Sequence, residues 1–113
     1  MTKRDEQEIK NKIIIGPAEK MTIIGSEKEV EYEGRVDTGA TSSSIDAKIV
    51  AELKLGPVLS VKTVRNAHGE TLRPVVEAEI ILKTKKMTTK FTIADRSRMK
   101  YKVLIGNQQL TRV

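Results

Sequence analysis

Asp37 is the acidic residue in this chain whose neighbours suit it to chemistry. It lies at the centre of Val36-Asp37-Thr38-Gly39-Ala40, after an alternating run at residues 29–35. A hydroxyl residue, a glycine and a small apolar residue follow it at once. Glycine accepts the backbone angles of a tight turn, so backbone N–H groups and the Thr38 hydroxyl can orient the carboxylate. A carboxylate held this way can take a proton from water or return one to a leaving group. The same three residues also make an ordinary turn, and local composition leaves both readings open.

Other chemistries have less to work with. The chain has no Cys and a single histidine, His68. That removes disulfides and thiol catalysis, and there is no His-Glu-x-x-His metal motif. His68 reads as a polar turn residue. The glycines at 16, 25 and 34 are too scattered for a phosphate-binding loop. No cofactor and no metal are expected.

Strands must position Asp37. Residues 19–24 and 29–35 read as a hairpin joined by Gly25-Ser26-Glu27-Lys28, with Val30, Tyr32 and Gly34 alternating against charged residues. Before it, residues 12–15 form a short aliphatic run stopped by Gly16-Pro17. After Asp37, residues 41–44 read as extended. Residues 45–50 have helical spacing, with a single turn capped by Asp46 as the alternative. Gly56-Pro57 breaks the chain. Residues 58–64 read as a strand, 65–70 as a polar turn and 71–82 as a second strand, in which Pro74 turns its N–H side to solvent or a bulge. Residues 83–86 make another turn, 87–94 a Thr-rich strand and 95–100 a charged loop. Residues 103–105 form a short central strand, and 107–110 one helical turn. The expected class is all-β with one or two short helical turns. Residues 1–11 are read as a flexible N-terminal tail and 12–113 as a single domain.

With 113 residues the chain allows one domain and a modest core. Apolar residues make up 38%, but with no Trp, one Phe and two Tyr the core must be aliphatic. A partner subunit would relieve its small size. The formal charge of +6 suits an acidic partner. The basic residues are spread out and lack aromatic interleaving, which argues against nucleic-acid binding. No stretch approaches a membrane span and residues 1–12 lack the apolar core of a signal peptide, so a cytoplasmic location is the default expectation.

The segment Val36-Asp37-Thr38-Gly39-Ala40 followed by Thr41 resembles the active-site loop of retropepsin-type aspartic proteases. Val103-Leu104-Ile105-Gly106-Asn107, then Gln108-Gln109-Leu110, resembles the apolar-apolar-Gly and short helix late in that fold. Arg73-Pro74-Val75 and Asp95-Arg96-Ser97-Arg98-Met99 make the chain most similar to the RimK-associated subgroup, labelled ATP-dependent zinc proteases. The likeness spans about residues 13–110. The zinc and ATP labels gain no support from the residues present.

The resemblance implies a closed retropepsin-like barrel that hydrolyses peptide bonds. Only one Asp-Thr-Gly is present, so a homodimer would be needed for two Asp37 carboxylates to hold one water. Thr38 would then fix the two loops across the axis, Gly39 would permit the turn, and Ala40 would edge a substrate pocket. Asn66, Ala67, His68 and Gly69 would form the tip of a flap over the substrate; on composition alone they are equally a surface hairpin. Arg73, Arg96 and Arg98 would line the channel and bind an acidic peptide, or the run 95–99 is a solvated loop with an internal ion pair. The rival function is a noncatalytic module that holds a peptide or acidic partner. Two departures stand out. Only Thr111-Arg112-Val113 follows Leu110, so the dimer needs a device other than a terminal strand, such as residues 13–15. The flap tip also has a single glycine.

Overall fold

The computed structural model describes residues 18–37 and 39–107. The expected tail, the aliphatic run at 12–15, Thr38 and the residues from Gln108 onward lie outside them. Among the described residues seven strands and one complete helix follow in order: β1 (Ala18–Ile24), β2 (Glu29–Asp37), β3 (Ser43–Asp46), α1 (Ala47–Leu53), β4 (Ser60–Asn66), β5 (Gly69–Leu82), β6 (Lys85–Ala94) and β7 (Val103–Gly106).

The strands pair in the order β1-β2-β7-β3-β6-β5-β4, and β1 also pairs with β5. That last ladder closes six strands into a barrel and leaves β4 outside as an appended edge. The strand β5 does two jobs along its length. Residues 75–82 pair with β6, and the last four of them with β1, while residues 69–74 pair only with β4 and Val75 pairs with both β4 and β6. Pro74 opposes Val61 of β4, one residue before the β6 ladder begins. A proline there spares the barrel a lost ladder bond, as its missing donor requires.

The first hairpin follows its expected pattern. Glu29, Glu31, Glu33 and Arg35 are exposed, while Val30 and Tyr32 are half-buried and Gly34 and Val36 are buried. The interior is aliphatic apart from Phe91, with Ile23, Ile45, Ile80, Leu82, Val103 and Ile105 all excluded from solvent. Ile49 and Leu53 of α1 close one side of this core.

Several boundaries differ from the sequence reading. The polar stretch 65–70 narrows to a two-residue turn at Ala67 and His68, because Arg65 and Glu70 face each other in register and pair at 2.9 Å. Polar side chains thus continue the ladder instead of ending it. Lys85 and Lys86 likewise belong to β6, leaving Lys83 and Thr84 to turn, with Lys83 at φ 61°. Ile45 sits in β3, not a helix, and the helix begins after Asp46. The Asp46 carboxylate accepts the Lys48 N–H as its N-cap, at 3.2 Å.

Candidate active site

The turn after β2 is held by short bonds of its own. Asp37 Oδ1 accepts the Gly39 N–H at 2.9 Å, and the Asp37 carbonyl accepts the Ala40 N–H at 3.2 Å. The carboxylate is thereby oriented from within the turn while about a third of the side chain (33%) stays exposed. Arg35 lies two residues earlier on β2 and therefore on the same face. Its Nε is 4.0 Å from Asp37 Oδ2.

The end of β7 supports that turn. Gly106 stands beside Asp37 in the parallel β2–β7 ladder, and the Asn107 N–H donates to the Ala40 carbonyl at 2.7 Å. A Cβ on Gly106 would lie 2.5 Å from the Ser42 carbonyl oxygen and 2.9 Å from the Ser42 nitrogen. Only glycine lets the two backbones approach this closely. The Gly106 N–H donates to the buried Ser43 hydroxyl at 3.0 Å.

The loop between β6 and β7 forms the facing wall. Asp46 Oδ1 accepts the Arg96 backbone N–H at 2.7 Å, and the Asp46 N–H donates to the Lys102 carbonyl at 2.9 Å. The Arg96 side chain then braces the loop. Its Nε donates to the Tyr101 carbonyl at 3.0 Å and its Nη1 to the Ser44 hydroxyl at 3.1 Å. Lys102 Nζ donates to the Ser97 and Met99 carbonyls. Asp95 Oδ1 takes both the backbone N–H and the hydroxyl of Ser97.

Between these walls opens a cleft of about 330 Å³, lined by Arg35, Asp37, Arg96, Met99, Lys100, Tyr101 and Leu104. One carboxylate thus shares a space with three cations. Burial pulls the Arg96 guanidinium below its ordinary pKa range; Asp46 opposes that pull, and the charges of Arg73 and Arg35 add to it. Among the described residues Arg96 forms no ion pair, and its charge is offset at longer range by Asp46. Asp95 is held below the ordinary carboxylate range, first by the Ser97 hydroxyl and backbone N–H, then by Arg98 and Lys102.

The sequence-derived residues divide accordingly. Asp37, Gly39 and Ala40 form the turn, and Arg96 shares its cleft. Arg73 is not among the cleft's lining residues, though its charge helps to lower the Arg96 pKa. Arg98 acts on Asp95 and is not among the cleft's lining residues. Asn66 pairs with Gly69 at the end of the β4–β5 ribbon, where Ala67, His68 and Gly69 are exposed, and none of these last three lines the cleft. Sequence reasoning passed over Arg35, Lys100, Tyr101 and Ser43. Arg35 was the accessible one, since a residue two before Asp37 on a strand must share its face. Among the described residues no three His, Cys, Asp or Glu side chains gather as metal ligands. The donors around Asp37 are arginine and lysine, which repel a cation, so the zinc label does not fit this site.

Comparison with known proteins follows the same lines. The fold is similar to the solution structure of simian foamy virus (mac) protease, with TM-score 0.62 and 14% identity over 82% of this chain and 90% of that one. It is similar to EIAV protease in complex with the inhibitor HBY-793, with TM-score 0.62 and 19% identity over 80% of each chain. A Legionella pneumophila protein of unknown function, Lpg0085, matches with TM-score 0.59 and 23% identity over 84% of each chain. At these identities the likeness speaks for the fold. No curated protein matches the sequence. The sequence model of the RimB-like family, described as retropepsin-like aspartic endopeptidase RimB, matches residues 50–113, more than half of the chain. The barrel and this match agree: the chain belongs to the RimB-like family of retropepsin-like aspartic endopeptidases.

Proposed function

We propose that the chain is a homodimeric aspartic endopeptidase in which the Asp37 carboxylates of two protomers share one water. The observation that carries this reading is the Asp37 turn. Its carboxylate is oriented by Gly39, backed by Gly106, partly exposed and open to a cleft. Two carboxylates facing one another across a twofold axis cannot both ionise cheaply, so the pair keeps one shared proton. The ionised member takes a proton from water as it attacks the scissile carbonyl. The protonated member polarises that carbonyl and passes its proton to the departing amine. No covalent intermediate forms.

The cation-rich cleft supports an acidic peptide as the substrate. Arg35, Arg96 and Lys100 lie beside Asp37, and Arg73 adds its charge to theirs. A carboxylate entering there relieves a like-charge cluster and gains charge-assisted hydrogen bonds. The β4–β5 ribbon, exposed at its tip and attached to the barrel along one strand, suits a flap that closes over the bound chain. The test is cleavage of a peptide library by the purified protein and by Asp37→Asn. Cleavage by the wild type that the variant loses supports the reading. Equal cleavage by both would mean that Asp37 is not the catalyst, and peptide binding without cleavage would replace the reading with a noncatalytic binding module.

A further inference from the structure

We propose that Ser43 is a positioning residue for the reaction, fixing the end of β7 against which the Asp37 turn is strapped. The inference rests on the peptidase reading for its kinetic arm, but the geometry behind it is independent. Ser43 is 2% exposed, in a four-residue strand whose members are all buried. A serine there needs a reason, because a buried hydroxyl without a partner is costly. Its partner is the Gly106 N–H, at 3.0 Å.

The backbone ladder accounts for that bond. The antiparallel pairing of β3 with β7 runs through Ile45↔Val103 and Ser44↔Leu104 and goes no further. Beyond it the Gly106 N–H has the Ser43 hydroxyl as its acceptor, while on its other side β7 still pairs Gly106 with Asp37. The next N–H, that of Asn107, holds the Ala40 carbonyl. Ser43 is itself tied down from behind, where its carbonyl accepts the Thr92 hydroxyl at 3.2 Å. The path from β6 to the catalytic turn therefore runs Thr92, Ser43, Gly106, Asp37. An alanine at 43 keeps the strand and its burial but orphans the Gly106 N–H. The turn then loses its fixed backing while the cleft that binds substrate is unaltered.

The test compares wild type, Ser43→Ala and Thr92→Val in steady-state kinetics and in residue-resolved amide exchange. Ser43→Ala is expected to lower kcat about tenfold or more with KM within about twofold, since a small misplacement of a reacting group costs turnover. The Gly106 amide should exchange at least about tenfold faster, with Val103 and Ile105 little changed. Thr92→Val should give the same kcat–KM split to a smaller extent. A rise in KM at constant kcat, or Gly106 exchange unchanged relative to Val103, would overturn the role. If the wild type cleaves nothing, the peptidase reading fails separately, and the exchange measurement still decides whether Ser43 holds the turn's backing.

Discussion

Asp37 and Gly106 stand side by side in a parallel ladder, the last of three register pairs that join β2 to β7. The acid lines a cleft and the glycine is buried beside it, pressed against the Ser42 backbone. Gly106→Ala must push the Ser42 backbone away from β7, and overpacking of this kind costs about 1–3 kcal/mol. Chemical denaturation should register that loss, and cleavage should fall by more than the loss of folded protein explains.

Asp37→Asn keeps the side chain's shape and its oxygen for the Gly39 N–H. Unfolding midpoints should therefore stay close to wild type. Removal of the acid–base group should lower kcat by at least about 10²–10⁴-fold.

Asp46 links two elements, capping α1 through Lys48 and accepting the Arg96 backbone N–H. Asp46→Ala loses both bonds at a site that is 4% exposed. The cap and the orphaned N–H together should cost about 2–4 kcal/mol in urea unfolding. Amide exchange should rise through residues 95–102 before it rises in the barrel.

Arg73 adds positive charge at the cleft without bracing the 95–102 loop as Arg96 does. Arg73→Ala should raise KM for a glutamate-rich peptide about 3–10-fold, with little change for a neutral peptide of equal length. The preference for the acidic peptide should also shrink as salt is added. Equal effects on both peptides would assign Arg73 to general binding.

The Asp95 carboxyl is held below its ordinary range by Ser97, and the sign of the pH dependence follows. A depressed folded-state pKa gives stability that is present above the unfolded value, about 3.9, and is lost as pH falls through the lower folded value. The Asp95–Ser97 turn should thus stay closed in mild acid and open only below about pH 4. In an NMR titration Ser97→Ala should move the Asp95 midpoint upward, toward the ordinary carboxylate range.

The sequence carried the parts of this site that depend on local pattern. Alternation around Val30 and Tyr32 announced the strand that delivers Asp37, and the acid–hydroxyl–glycine order announced the turn. Asp46 was legible as a cap, although its second bond, to Arg96 fifty residues away, was not. Ser43 was hidden because its role depends on where the β3–β7 ladder stops, which is a property of the closed barrel. The β4–β5 turn was read too wide because Arg65 and Glu70 look like loop residues until the register sets them opposite one another. Arg96 was read as a substrate contact from its charge. Its bonds to Ser44 and Tyr101 also make it a brace, which only the folded loop reveals.

The most direct measurement mixes wild type with Asp37→Asn at fixed total protein, lets subunits exchange, and records peptidase activity. If each active unit needs an Asp37 from two chains, activity follows the square of the wild-type fraction, leaving about one quarter at equal mixing. A fall in direct proportion, leaving about one half, would mean that each chain works alone and would contradict the shared-water dimer.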